Sequence, residues 1–229
     1  MIRISPLALC LAAGLLCQSA FAEPLTRSEA LRIAQAYCNY QWEASEKNML
    51  QGRDADGIEV HTPNNPDPKA APDPTLWTAG VTNTGMPYKW GGFDTLESFQ
   101  IGIKKGKAAG DKYNQEKRRL GGAAVSSHAV GIDCSGFISR CWKLSQKQST
   151  SSLPAICKTL PSPTDLKAGD IMNTQGGHVI LFAKWLDDAK TSAVFYESSP
   201  FCKVMSNTYS VATLLERGYQ PLRYKLIQD

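Results

Sequence analysis

Four short runs rich in β-branched and aromatic residues, all after residue 170, constrain the fold more than any other feature. Turn residues such as Gly-Asp, Gly-Gly and Asp-Asp separate them, and the runs are 171–172, 178–185, 193–198 and 219–227. Runs of this composition at this spacing predict an antiparallel β-meander. An apolar-periodic helix that follows Cys134 precedes the strands, so we predict an α+β fold.

The first 22 residues have the pattern of a secretory signal peptide. A single basic residue precedes an apolar stretch at 7–17, and Ala20-Phe21-Ala22 matches a signal-peptidase site. The apolar stretch is too short for a bilayer, which takes about 20 residues to span. We therefore expect cleavage after Ala22, export to the periplasm or the medium, and no stable membrane insertion.

The rest of the chain is long enough for one packed domain with a small extension. A capping box at 26–29 precedes an apolar stripe and predicts a helix from about Arg27 to the mid-forties. Five prolines between Thr62 and Thr75 exclude a helix there. We divide the chain into a signal peptide (1–22), an N-terminal helix with a proline-rich loop (23–76) and a main domain (77–229).

A polar insertion at about 95–127 interrupts the main domain. Its segment 104–119 has seven Lys or Arg residues against Asp111 and Glu116, whereas the net charge of the whole chain, +4, predicts no partner by itself. We interpret the segment as a solvated surface insertion, with attraction to an acidic polymer as the alternative. These charges form no recognisable nucleic-acid-binding module with aromatic residues, so we expect no nucleic-acid partner.

Cys134 stands at the start of the predicted helix, in the sequence Asp133-Cys134-Ser135-Gly136. The positive end of a helix dipole stabilises a thiolate, which is the nucleophilic form of cysteine. The N–H groups at the same helix end can stabilise an oxyanion. Cys141 lies two turns further on, beyond this influence, and suits packing or a disulfide. These local features leave a buried or bridged role for Cys134 as the alternative.

A nucleophilic thiol requires a base, and the chain has three histidines, His61, His128 and His178. His61 borders the proline-rich loop and His128 lies in an irregular segment. His178 begins a strong strand, which holds an imidazole rigidly and leaves one edge open, so we favour it as the base. In a meander the run 193–198 lies opposite His178, and its Glu197 is placed to orient the ring. A solvated edge-strand glutamate is the alternative.

Four segments, in order, resemble the NlpC-type family of papain-like cysteine peptidases, which are bacterial cell-wall endopeptidases. They are PYKWGG (87–92), DCSGFISRCW (133–142), PTDLKAGDI (163–171) and GGHVILF (176–182). The resemblance implies a papain-like fold, in which the catalytic helix packs on the meander, with an N-terminal helical extension. It implies Cys134 as nucleophile and His178 as base. Glu197 falls at the third catalytic position, where the family usually has His, Asn or Gln, and Asn173 is a weaker substitute.

The same resemblance implies a substrate and its contacts. Tyr88 matches a tyrosine that borders the cleft, and Asp133 and Ser135 match positions that hold a free peptide N-terminus in some members. Such enzymes hydrolyse peptide stems of peptidoglycan, commonly between γ-D-glutamate and the diamino acid, so the expected partner is the cell wall. An amidase or acyltransferase on the same scaffold and a non-catalytic wall-binding module are the alternatives.

If Cys134 is the free thiol that the resemblance implies, four other cysteines follow the signal peptide and allow three pairings. We favour Cys157 with Cys202 and Cys38 with Cys141. The chain has no H-E-x-x-H motif and no C-x-x-C pair with zinc-like spacing. It also lacks a G-x-S-x-G elbow and a phosphate-binding glycine loop, so we expect no metal or other cofactor. The oligomeric state is left open.

Overall fold

The computed structural model describes residues 25–66 and 73–229, and the signal peptide expected at 1–22 lies outside the described residues. The helices within these ranges are α1 (Arg27–Cys38), α2 (Leu96–Lys104), α3 (Gln115–Leu120), α4 (Cys134–Cys141), α5 (Leu153–Ile156) and α6 (Val211–Glu216). The strands are β1 (Gln41–Glu43), β2 (Gln51–Arg53), β3 (Glu59–His61), β4 (Thr82–Thr84), β5 (Ala108–Ala109), β6 (Ala129–Val130), β7 (Cys157–Thr159), β8 (Ile171–Asn173), β9 (Val179–Trp185), β10 (Ser192–Ser198), β11 (Val204–Ser210) and β12 (Gln220–Tyr224). Among the described helices, none has the length and apolar character to cross a bilayer.

Six strands form one sheet in the order β11-β10-β9-β8-β12-β7, and all its neighbours are antiparallel. Together with the helices, this sheet confirms the α+β class. Four of its strands, β8, β9, β10 and β12, correspond to the four runs predicted from the sequence. β11 is not predicted by those runs because it is an edge strand whose residues after Val204 are mostly polar and partly exposed.

Both faces of the six-stranded sheet are covered, and α4, the helix that begins with Cys134, belongs to the core on one of these faces. Side chains alternate along β9, so Val179 and Leu181 point to one face and Ile180 and Phe182 to the other. The first pair belongs to the larger core, which includes α4 and α1, and the second pair packs with Leu214 of α6. The seven-residue run of β9 therefore reads as nearly continuous apolar sequence.

The N-terminal segment shares its core with the main domain. The side chain of Thr26 caps α1 by accepting a hydrogen bond from Glu29 N. The helix ends at Cys38, earlier than predicted, because the chain continues into β1, which pairs with β4. Trp42 of β1 packs edge-on against Trp77 and against Phe99 of α2.

The basic insertion is structured, and the prediction that it is a solvated surface segment is wrong for its central part. Phe99 and Ala109 are fully buried. Lys117 is also buried, and its Nζ lies 2.6 Å from Asp111 Oδ2. In the interior, the charge of Lys117 compensates that of Asp111. In the sequence, these two residues look no different from the exposed charges around them. Other basic residues of the segment, such as Lys104 and Arg119, are exposed.

The five cysteines of the described residues are all free thiols, so neither favoured bridge is present. The sheet order explains the absence of the bridge between Cys157 and Cys202. Cys157 lies on β7 at one edge of the sheet, and Cys202 lies in the β10–β11 turn towards the other edge. Cys141 is fully buried in α4, and burial raises the pKa of its thiol well above the usual range, whereas Cys38 is partly exposed.

Candidate active site

Cys134 is the first residue of α4, where extended backbone turns into a helix. Asp133 is the N-cap, and its Oδ1 accepts a hydrogen bond from Gly136 N at 2.6 Å. The N–H groups of Cys134 and Ser135 belong to the first helical turn and have no acceptor within the helix. Cys134 lines a cleft and is 7% exposed. A substrate in the cleft would therefore meet both the sulfur and free backbone donors.

Two glycines allow the start of α4 to lie directly on the 87–92 segment. A Cβ atom on Gly136 would collide with the carbonyl oxygen of Gly92. The same oxygen accepts a hydrogen bond from Asp133 N at 3.2 Å. These glycines, which the sequence places in WGG and CSG, thus fix the position of Cys134.

His178 immediately precedes β9 and is held by a tight hairpin after β8. Its N–H donates to Thr174 Oγ1 at 2.8 Å, and its carbonyl accepts a hydrogen bond from Thr174 N at 2.9 Å. Gly176 completes the turn with a φ of 69°, a conformation that glycine adopts without strain. The backbone of the histidine is therefore fixed on both sides.

Glu197 of β10 orients the imidazole. Its Oε2 lies 2.7 Å from His178 Nε2, and β10 is the neighbour of β9 in the sheet. Nδ1 of His178 is buried and has no hydrogen-bond partner among the described residues. Cys134 lines the same cleft as the ring, and it raises the pKa of the imidazole. Because Glu197 occupies Nε2, Nδ1 is the ring nitrogen left for an interaction with the sulfur.

Two side chains of β11 support Glu197 from behind. Oε1 accepts hydrogen bonds from Asn207 Nδ2 at 2.7 Å and from the hydroxyl of Tyr209. Burial raises the pKa of Glu197, but the bonds from His178, Tyr209 and Asn207 outweigh it and lower the pKa below the usual value. Burial and the bond to Glu197 raise the pKa of Tyr209, so its hydroxyl stays a donor at neutral pH.

Asn207 and Tyr209 are absent from the candidates drawn from the sequence. The signal that would find them is a period-two pattern, Met205, Asn207 and Tyr209, in a run that follows the strand of Glu197. In an antiparallel hairpin, such residues share a face with alternate residues of the preceding strand. Polar composition conceals this pattern, because strands are usually sought as apolar runs.

The charge state of His178 follows from its two neighbours. Burial lowers the pKa of the imidazole, but Cys134, followed by Glu197, outweighs burial and raises the pKa to about 10. At neutral pH the ring is therefore protonated, between the sulfur of Cys134 and the carboxylate of Glu197. Such an arrangement holds a sulfur nucleophile and a proton donor side by side.

The other two histidines lie elsewhere. His61 Nε2 is 2.7 Å from Glu59 Oε1, and His128 Nε2 is 3.1 Å from Asp56 Oδ2, in partly exposed pairs. Asn173, the weaker candidate for the third position, donates to the carbonyl of Thr150 at 3.1 Å and not to the imidazole. The structure thus brings only His178 of the three histidines to Cys134.

Tyr88, Asp133 and Ser135, the predicted substrate-binding residues, all line the cleft with Cys134. Tyr88 is 2% exposed, and burial together with the charges of Cys134 and Asp133 raises its pKa well above the usual value. Ser135 Oγ donates to Asp133 Oδ1 at 3.1 Å. Lys147 Nζ lies 2.9 Å from Asp133 Oδ2, so both oxygens of this carboxylate have partners within the protein.

The cleft has a volume of about 590 Å³, and the insertion forms part of its wall. Trp90 packs against Tyr113 with ring centroids 5.7 Å apart, and Tyr113 packs against Phe201 at 6.3 Å. Trp90 Nε1 donates to the carbonyl of Gly121 at 3.1 Å. A cavity of this size, apolar along one wall and polar at the sulfur, is suited to a short peptide.

Comparison with protein-family models, curated proteins and solved structures returned no match for this chain. The chemistry of the site is therefore inferred from its own geometry. Cys134, His178 and Glu197 lie together at one end of a cleft, and the imidazole is bonded to the carboxylate, an arrangement that suits nucleophilic chemistry at the sulfur.

Proposed function

We propose that this protein is an exported cysteine hydrolase of the NlpC type, which cleaves peptide stems of peptidoglycan. The observation that carries the proposal is the array of Cys134, His178 and Glu197 at the cleft. The ordered resemblance of four segments to that family supports it, as does a cysteine-bearing helix packed on an antiparallel sheet that supplies the histidine. The signal-peptide pattern is consistent with a substrate outside the cytoplasm.

In this proposal the Cys134 thiolate attacks the scissile carbonyl carbon. The resulting oxyanion faces the N–H groups at the start of α4. His178 passes its Nδ1 proton to the leaving amine, the C–N bond breaks, and a thioester remains on the sulfur. His178 then takes a proton from water, whose oxygen attacks the thioester, and release of the acid restores the thiolate. Glu197 keeps the ring oriented through both steps.

The proposed bond is the one between γ-D-glutamate and the diamino acid of the stem. Digestion of purified sacculi, followed by chromatography of the released muropeptides, tests this. We expect the wild-type protein to release new fragments and the Cys134→Ala variant to release none, while Cys141→Ala, on the same helix, retains activity. An unchanged muropeptide profile with the wild type would contradict the proposal.

The products also separate the rival functions. An amidase would release whole stem peptides from the glycan, and an acyltransferase would join the acyl group to an added amine instead of water. A wall-binding module would bind sacculi equally well with and without Cys134, and its Cys134 would not react with iodoacetamide. We expect rapid alkylation of Cys134 in the wild type and slower alkylation in His178→Ala.

A further inference from the structure

Besides the imidazolium of His178, the cleft carries two cations and a single carboxylate. Among the described residues that line it, these two cations are Arg118 and Lys147, and Asp133 is the only acid. Glu197 lies behind His178, is 3% exposed, and is fully engaged with its three partners. A charged group of a substrate near Cys134 would therefore meet Asp133, Lys147 and Arg118.

Three donors within the protein already occupy most of the acceptor positions of Asp133. Its Oδ1 accepts from Gly136 N at 2.6 Å and from Ser135 Oγ at 3.1 Å. Its Oδ2 is 2.9 Å from Lys147 Nζ, and the side chains of Asp133 and Lys147 are 8% and 26% exposed. Solvent screens a partly buried ion pair less than an exposed one, so the ammonium of Lys147 is well held beside the nucleophile.

An ammonium group of a substrate would need this same carboxylate. It would have to displace Lys147 or lie beside it, and like charges at close range repel. An N-terminus bonded to an acyl group is neutral and meets no such repulsion. We propose that Lys147 makes the cleft select peptides with an acylated N-terminus over the same peptides with a free α-ammonium group, an inference that rests on the proposed function.

This selectivity assigns the enzyme to a particular state of its substrate. A stem that is still attached to the glycan has its N-terminus in an amide bond, whereas a released stem has a free amine. The enzyme would therefore act on the intact wall and spare released peptides. Arg118, exposed on α3, adds a second positive charge to the same cleft.

Two synthetic peptides test the inference. Both contain the γ-D-glutamyl–diamino acid bond, and they differ only in a free or an acetylated N-terminus. We expect the kcat/KM of the wild type to be at least about tenfold higher for the acetylated peptide. In Lys147→Met the ratio falls to about one or inverts, because Asp133 becomes free to bind an ammonium. Lys147→Arg, the matched control, keeps the ratio.

The pH dependence distinguishes charge selection from a structural role of Lys147. An α-amino group ordinarily loses its proton near pH 8. The preference of the wild type for the acetylated peptide should therefore shrink between pH 7 and pH 9, as the competing peptide becomes neutral. A purely structural Lys147 would change the cleavage of both peptides equally at every pH, and that outcome would overturn the inference.

The same experiment separates this inference from the function on which it rests. Equal kcat/KM for both peptides in the wild type, or an unchanged ratio in Lys147→Met, would overturn the selectivity and leave the hydrolase proposal standing. Cleavage of neither peptide by the wild type would overturn the hydrolase proposal and the selectivity with it.

Discussion

Two histidine–glutamate pairs in this protein have the same length and different surroundings. Nε2 of His61 lies 2.7 Å from Glu59 Oε1, and Nε2 of His178 lies 2.7 Å from Glu197 Oε2. The side chains of the first pair are 34% and 41% exposed, and those of the second are 18% and 4% exposed. Hydrogen-bond length alone would make both pairs equally good candidates for catalysis.

The difference lies in the second ring nitrogen and in the solvent. Nδ1 of His61 lies 3.2 Å from Gln51 Oε1, an oxygen of a neutral amide, whereas Nδ1 of His178 has no hydrogen-bond partner among the described residues and the ring shares the cleft with Cys134. Solvent screens an exposed pair, which then contributes little. Burial keeps the His178 pair unscreened and lets it act on the sulfur. Its burial and its position beside Cys134, not its bond to a carboxylate, therefore distinguish His178 from His61.

The largest expected difference between the two histidine–glutamate pairs comes from removing each imidazole in turn. We expect His178→Ala to lower kcat/KM for a stem peptide by about 10³-fold or more, because both the proton donor and the cation beside the thiolate are lost. His61→Ala, the matched control, should keep wild-type activity. Initial rates on the acetylated peptide measure both, and thermal melting checks that both variants fold. Equal losses in the two variants would show that the proposed base is misassigned.

Changing the two carboxylates sharpens the comparison. In Glu197→Gln the charge beside the imidazolium disappears, and we expect kcat to fall by about 10²-fold with a smaller change in KM. Glu59→Gln should leave both constants within about twofold of the wild type. Steady-state kinetics on the same peptide measures the split. A wild-type kcat in Glu197→Gln would mean that the orienting role belongs to another group.

The pH profile follows from the raised pKa of His178. The ring donates its proton to the leaving amine, so the active form is the protonated one, and it is lost as the pH rises through about 10. We expect kcat/KM to fall about tenfold per pH unit above that value. Because Glu197 contributes to the raised pKa, the alkaline limb should move to lower pH in Glu197→Gln. An alkaline limb near pH 6.5 in the wild type would contradict this charge state.

The smallest expected effect concerns the outer support of the buried pair. Tyr209→Phe removes one donor to Glu197 Oε1 and leaves Asn207 in place. We expect kcat to fall about threefold and the alkaline limb to change little. Tyr224→Phe, at a tyrosine that stacks on Trp142 away from the cleft, is the control. A loss as large as that of Glu197→Gln would mean that Tyr209 acts on the substrate directly.

The meeting of Cys134, His178 and Glu197 could be anticipated because each step depends on local sequence. An apolar-periodic segment that follows a turn places Cys134 at a helix start, and a Gly-Gly turn places His178 at a strand start. The rule that consecutive strands of a meander are neighbours then brings Glu197 opposite His178. Short turns and adjacent strands leave little freedom in such an arrangement.

Other parts of the structure depend on long-range contacts that sequence patterns do not record. Lys117 and Asp111 look like surface charges until the fold buries them together. Asn207 and Tyr209 lie on an edge strand whose polar composition resembles that of a loop. The sequence therefore does not predict that they bond to Glu197. The end of α1 at Cys38 is set by the pairing of β1 with β4, which joins residues about 40 positions apart.

The close contact between Gly136 and the carbonyl of Gly92 suggests a variant that would perturb the site without changing its side chains. A methyl group at position 136 would collide with the carbonyl of Gly92 and push the start of α4 away from the 87–92 segment. The Cys134 sulfur would then move relative to His178. All reacting atoms would still be present, and the wide sheet beneath would be untouched. Gly136→Ala would therefore disturb the geometry of the site while leaving the side chains of Cys134, His178 and Glu197 in place.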